Sequence, residues 1–290
     1  MKAAFLKLHL AVFLAGFTGI LGRLITLNEG WLVWYRLLIS SITMWILFHF
    51  TRKLQRISAK QRWQITGIGF LAALHWVTFY GSIKYANVSI ALVCFSAIGF
   101  FTALIEPLFF RKRIQPMELL LGLVCIVAIY LIFHFDPRYK TGIIIGLISA
   151  FLAAIFPVMD RMVLAKVNPE TLITYKLSGG WLTLSLLMPW YTMQFPADHI
   201  IPTWTDFFWL LFLAWICSVW AFRLSAQALQ KISAFTVNIS YNLEPVYGIV
   251  LAFLVYQENK LLHSSFYIGF AMILTVVAYQ TWRVAKKKSQ

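Results

Sequence analysis

Apolar side chains run for about the length a helix needs to cross a bilayer, again and again along this chain, with only short polar breaks between them. About 20 apolar residues at 1.5 Å per residue cover the hydrocarbon. Reading between charged or proline-containing breaks gives ten such segments, roughly 5–27, 31–50, 64–83, 88–110, 117–135, 141–159, 171–192, 205–226, 233–256 and 265–282. Barrel strands would instead alternate over ~10 residues, and that pattern is absent. The first run follows Lys2 and Lys7 and has no clear small-residue cleavage site, so it reads as a retained span. Composition points the same way. The chain is 61% hydrophobic and 12% charged, whereas a soluble domain is about 45–50% apolar and about 25% charged.

A formal charge of +15 raises the question of nucleic acid. The placement of the 25 basic residues answers it. With the N-terminus in the cytoplasm, seventeen fall in inner loops and ends and four (Lys84, Arg138, Lys140 and Lys260) in outer ones. That asymmetry is the positive-inside signal. It supports cytoplasmic termini and makes anionic lipid, not nucleic acid, the partner of the charge. Arg23, Arg36, Lys176 and Arg223 remain inside proposed spans. Cys94, Cys125 and Cys217 sit in apolar runs without metal-like spacing and read as small buried hydrophobes; no cofactor is expected.

The two halves of the chain resemble each other. Tyr35-Arg36 matches Tyr175-Lys176 at an offset of 140, "YANVSIALV" (Tyr85–Val93) matches "KISAFTVNI" (Lys231–Ile239) at 146, and Gly122 matches Gly269 at 147. Glu106 and Glu244 do not coincide at the 146 offset and are separate features. Five spans per half force opposite orientations. The expected fold is therefore an all-α polytopic membrane protein of ten transmembrane helices in two inverted five-helix repeats, residues 1–136 and 137–290, forming one transmembrane domain. Inverted repeats with short loops are the architecture of secondary transporters, whose solute sites lie near the midplane.

The stretch "SAFTVNISYNLEPVYGIVLAFLVYQE" (Ser233–Glu258), together with the two five-span halves, resembles the EamA-like family of the drug/metabolite transporter superfamily. Leu243, Glu244, Pro245 and Val246 match the family's Leu-Glu-Pro-Val-like core. Gln257-Glu258 keeps the acid of the following Gly-Glu turn and departs at the glycine, and Arg111-Lys112 lacks the acid in the first half. The resemblance implies a multi-pass inner-membrane transporter, of a family that often exports amino acids or related metabolites, and implies no particular substrate. It also implies a central cavity lined by spans 1, 3, 4, 6, 8 and 9.

Depth in the bilayer selects candidate site residues, because ionisable groups there are costly and face a cavity or a partner. His75, Thr78 and Ser82 share one helical face, with Trp76 and Tyr80 forming the adjoining stripe. They read as the lining of a wet cavity for an amphipathic solute; the alternative is a histidine bonded to a neighbouring helix among packing aromatics. Glu244 lies midway along span 9, after Asn238, Tyr241 and Asn242, and Pro245 removes the usual donor to the Tyr241 carbonyl. These groups suit an ammonium or amide; the alternative is Glu244 paired with Lys176 or capped by its neighbours. Arg36 and Lys176 are candidate carboxylate or gate contacts, with snorkelling to the interface the simpler reading of Arg36. Glu106, on one face with Gly99 and Thr102, reads equally as a site residue or as the partner of Arg111 near the cytoplasmic surface, and Asp160 with Arg161 reads as an interfacial pair. Trp215 and Trp220 are deep enough to reach a cavity.

A secondary exporter is the expectation, with protons as a candidate coupling ion carried by Glu244 or His75. Exporters of drug-like cations or nucleosides fit nearly as well as amino-acid exporters. An enzyme is not expected, since no H-E-x-x-H, Gly-x-Ser-x-Gly or nucleotide-binding loop is present.

Overall fold

The computed structural model describes residues 2–111, 113–135, 137–232, 234–241 and 243–286, apart from the side chains of 133–135, 137, 234, 235, 238, 239, 280, 281 and 284–286. Among these residues the regular structure is helical, without strands. The first half runs α1 (Lys2–Leu24), α2 (Glu29–Phe50), α3 (Ala59–Tyr85), α4 (Val88–Phe95), α5 (Ile98–Phe110) and α6 (Pro116–Phe135). The second runs α7 (Lys140–Leu164), α8 (Pro169–Gln194), α9 (Trp204–Ala214), a π-helical turn (Trp215–Trp220), α10 (Ala221–Leu229), α11 (Ala234–Tyr241), α12 (Glu244–Tyr256) and α13 (Ser264–Lys286).

The punctuation of the halves corresponds. Asn28 caps α2 by accepting from the Trp31 amide at 2.9 Å, and Asn168 caps α8 through the Thr171 amide at 2.8 Å, again 140 residues on. Reciprocal capping boxes start α3, with Ser58 and Gln61, and α9, with Thr203 and Asp206. Arg111 and Gln257, 146 apart, end α5 and α12 in the left-handed region, at φ 51° and 53°.

Two features of the helices differ from the reading of the sequence. The stretch 233–256 does not form one helix carrying a proline within it. It breaks after Tyr241, and Pro245 falls in the first turn of α12, where a missing N–H breaks no intrahelical bond. The stretch 88–110 is likewise broken at Ser96-Ala97, where the amides of both residues bond carbonyls three residues back, at 3.1 Å each.

Among the described residues, five helical stretches are long and apolar enough to cross a membrane: 2–24, 29–50, 88–110, 140–164 and 204–229. At 27 and 26 residues, α3 and α8 have the length. Their polar residues lower their hydropathy; each buries one face in the core, and the C-terminal half of α8 also exposes Leu182, Leu186, Trp190 and Met193. α3 packs on α7 and α8, α1 on α10 and α12, and α6 on α13, so the core lies between the halves.

The α3–α8 crossing sets the closest approach. A Cβ on Gly69 would lie 2.1 Å from the Lys176 carbonyl oxygen and 2.7 Å from the Gly180 nitrogen, so the two backbones touch. Gly67, on the same helix, faces open space. Gly69→Ala is expected to destabilise the protein by about 1–3 kcal/mol through overpacking, read as a lower melting temperature in detergent. Gly67→Ala serves as the control and should melt no lower than the parent, because alanine is the better helix former by about 1 kcal/mol.

Candidate functional site

The central cavity is bounded by α1, α2, α3, α7, α8, the π turn, α10 and both helix breaks. It measures about 70 Å³ over the positions a water centre can occupy. One water needs about 10–15 Å³ on that measure, so the space takes several waters or a small polar group. Phe95 and Ile98 flank the first break on its wall, and Tyr241 and Glu244 the second.

Arg36 reaches this cavity from α2. It is 2% exposed, so it does not snorkel to the interface. Its Nε donates to Ser218 Oγ at 2.7 Å and its Nη1 to the Tyr80 hydroxyl at 2.8 Å. Its guanidinium carbon lies 3.9 Å from the centre of the Trp76 ring. The π turn makes this possible: Ser218 donates to the Leu213 carbonyl five residues back, at 2.8 Å, and faces Arg36 with its oxygen. Neither Tyr80 nor Ser218 lines the cavity; both hold the arginine that does. Among the described residues no carboxylate forms an ion pair with Arg36.

Glu244 begins α12 and is 5% exposed. The α12 macrodipole favours its negative charge. Its one described side-chain contact is Thr18 Oγ1, at 3.4 Å. That hydroxyl sits closer to the Ala15 carbonyl, at 2.7 Å, and has a single proton to give. Pairing of Glu244 with Lys176, one of the sequence alternatives, does not occur.

Lys176 instead donates to Asp160 Oδ2 at 2.6 Å, with the two side chains 3% and 5% exposed. The ammonium lies 5.2 Å from the Phe156 ring centre and 5.1 Å from that of Phe222. This corrects the reading of Asp160 as the interfacial partner of Arg161. Arg161 pairs with Glu106 at 3.2 Å, which also replaces the Glu106–Arg111 pair expected from spacing. Pro157, one turn before Asp160, also lines the cavity.

His75 both lines the cavity and bonds a neighbouring helix. Its Nδ1 lies 3.0 Å from the Ser149 carbonyl oxygen and 2.8 Å from Ser149 Oγ. A carbonyl only accepts, so Nδ1 carries the proton in the neutral ring and Nε2 is the acceptor. Phe79, Phe95 and Phe156 surround the ring with centroids at 6.1, 5.6 and 5.6 Å.

The continuous polar stripe expected of α3 does not form along the cavity. Ser82 donates to the Gly142 carbonyl at 2.7 Å, and Thr78 to the carbonyls of its own helix at Leu74 and His75. Of the remaining candidates, Trp76 and Tyr241 line the cavity. The side chain of Asn238, and Asn242, lie outside the described residues. Trp215 and Trp220 are 45% and 44% exposed on the outer surface of the bundle.

Thr18, Asp160, Cys217 and Ser225 join the cavity without having been singled out as site residues. Asp160 alone carried a signal in the sequence: an acid one turn after a proline in a span. Losing one member of a buried ion pair costs about 3–5 kcal/mol, whereas replacing both is near neutral. Lys176→Met alone is expected to lower the melting temperature sharply. Lys176→Met combined with Asp160→Leu should recover most of the loss, and a double variant as unstable as the single would contradict the pairing.

Comparison with known proteins follows this geometry. A family model described as the EamA-like transporter family matches twice, over residues 2–134 and 140–280. An uncharacterized transporter of Archaeoglobus fulgidus is 23% identical over 257 residues, covering 84% of each chain. One of Haemophilus influenzae is 21% identical over 156 residues, covering 51% of each. A solved crystal structure overlays all of both chains with a TM-score of 0.71 at 15% identity, a likeness of fold alone. Two family matches covering nearly the whole chain, over apolar helices surrounding a polar cavity, place this multi-pass membrane protein in the EamA-like transporter family.

Proposed function

We propose that the chain is a secondary exporter of small zwitterionic metabolites, amino acids foremost, working by alternating access around the central cavity. One observation carries this reading. Among the described residues, two buried cavity-lining charges lie outside any ion pair, the Arg36 guanidinium and the Glu244 carboxylate, while Lys176 pairs with one oxygen of Asp160. Charges in a low-dielectric interior are stabilised by opposite charge far more than in water. A solute bearing both a carboxylate and an ammonium supplies both at once. Trp76, Phe79, Phe156 and Phe222 give an apolar wall for its side chain.

The proposed scaffold is ten transmembrane helices in two inverted five-helix repeats, divided near residue 136, with both termini cytoplasmic in a bacterial-type inner membrane. It is supported by the corresponding caps and breaks, and by the first helix of each half packing on the third and fourth spans of the other. The export direction follows the family resemblance. Protons are the proposed coupling ion, with Glu244 and His75 as the carriers, since each faces the cavity and changes charge by one proton.

Counterflow in proteoliposomes tests this. Labelled amino acids outside are exchanged against aromatic and aliphatic amino acids, nucleosides or cationic dyes inside, at two pH values. Exchange of an amino acid is expected and should be lost in Glu244→Gln. Exchange confined to dyes or nucleosides would exclude the zwitterion. Arg36→Lys keeps the charge but loses the planar fork that bonds Ser218 and Tyr80 together. It is expected to weaken half-saturation about tenfold, equivalent to ~1.4 kcal/mol. Saturation unchanged in that variant would remove Arg36 from the solute site.

A further inference from the structure

Two arginines, each in the last turn of the first helix of its half, reach across to the other half. Arg23 of α1 forms an ion pair with Glu258, just beyond α12, and lies 4.3 Å over the Tyr256 ring. Glu258 is fully buried and accepts from the Val88 and Ser89 amides, at 3.1 and 2.9 Å, and from Ser89 Oγ at 2.6 Å. It thus holds the start of α4 as well. Arg161 of α7 pairs with Glu106 of α5 and lies 5.3 Å from the Phe110 ring. Phe110 and Tyr256 are 146 residues apart, and each immediately precedes one of the left-handed caps. The arginine and the ring recur by the repeat. The acids do not: one lies a turn before the helix end and the other just after it.

The two clusters sit at opposite ends of the bundle. Arg23 adjoins the connection that enters α2. Arg161 adjoins the connection at 165–168, where the Asn168 amide bonds Gln55 Oε1 and its side chain the Lys53 carbonyl, both at 2.8 Å, beyond the exit of α2. The 22 residues of α2 separate these ends by about 33 Å. The cavity lies between them, reached by Ala15 and Thr18 of α1 and by Ala153 and Asp160 of α7.

The two pairs also differ in kind from the pair at the cavity. In each end pair the arginine is partly exposed, at 40% and 32%, and its acid is buried, at 0% and 7%, whereas in the cavity pair both Lys176 and Asp160 are buried, at 3% and 5%. On release each arginine can take water in place of its acid, and Glu258 keeps its three donors from Val88 and Ser89, whereas opening the cavity pair would strand two buried charges. We infer that Arg23–Glu258 and Arg161–Glu106 are the two latches of the transport cycle, each closing one end of the cavity and each released when that end opens. This rests on the alternating-access reading of the cavity.

Cys217, which lines the cavity, is a native reporter. In a parent carrying Cys94→Ala and Cys125→Ala, its reaction with a membrane-impermeant maleimide is timed from each face of oriented proteoliposomes. Arg23→Gln is expected to speed labelling from the Arg23 end by up to about fivefold relative to the other face, the range a partly exposed ion pair commands. Arg161→Gln should shift the ratio the opposite way. Both arginines are partly exposed, and folding is checked by melting against the parent. Ratios that move together, that do not move in folded variants, or a Cys217 that never reacts overturn the latches. Opposite shifts without solute exchange leave the latches standing and reject the proposed solute. Exchange without shifts does the reverse.

Discussion

Charge inside an apolar bundle is the constraint on which this structure turns. A charged side chain at the centre of a bilayer costs about 2.5–3.5 kcal/mol on insertion scales, unless the protein supplies a partner or a wet space. The buried charges here divide between those two solutions. Lys176 and Asp160 take each other, between two phenylalanine rings. Arg36 takes neutral partners and an aromatic face, and Glu244 takes a helix N-terminus and a distant hydroxyl. The second pair of groups is left with electrostatic capacity unused, and both open on the same cavity.

Departures from regular α-helix cluster at this cavity. The breaks after α4 and α11 put two helix starts on its wall, and the π turn aims Ser218 at Arg36. Irregular backbone within a membrane is tolerated where protein or a wet cavity satisfies the freed polar groups. The same irregularities are where a helix bends at low cost, so binding and movement draw on one set of segments.

The glycine-lined crossing of α3 and α8 holds the arrangement together. Backbone contact at Gly69, Gly179 and Gly180 brings helices of different halves to the closest approach in the core. The Lys176 backbone forms part of that crossing on α8, and His75 lies six residues beyond Gly69 on α3. The residues that present charge and an imidazole to the cavity are therefore set largely by close contact between backbones at glycines.

Much of this was legible from the chain alone. Span-length apolar runs determine a helical membrane protein, because no other open structure satisfies its backbone in lipid. The 140 and 146 offsets locate the repeat, and of the candidates chosen by depth and helical face, Arg36, His75, Trp76, Lys176, Tyr241 and Glu244 line the cavity whereas Thr78, Tyr80 and Ser82 do not. Partnership was not legible. Lys176 with Asp160 and Arg161 with Glu106 are contacts between helices; proximity in sequence offered Arg161 for Asp160 and Arg111 for Glu106, and shared depth offered Glu244 for Lys176. Helical periodicity assigned Thr78 and Ser82 to the face of His75, but the neighbouring helices decided what that face meets, and Ser82 is spent on the Gly142 carbonyl. The breaks at 96–97 and after 241, and the π turn, have no strong local signal, because they are stabilised by what packs on them. A sequence sets which side chains are too costly to leave in lipid; only the packing of one half on the other decides which of them end up satisfied and which face the cavity.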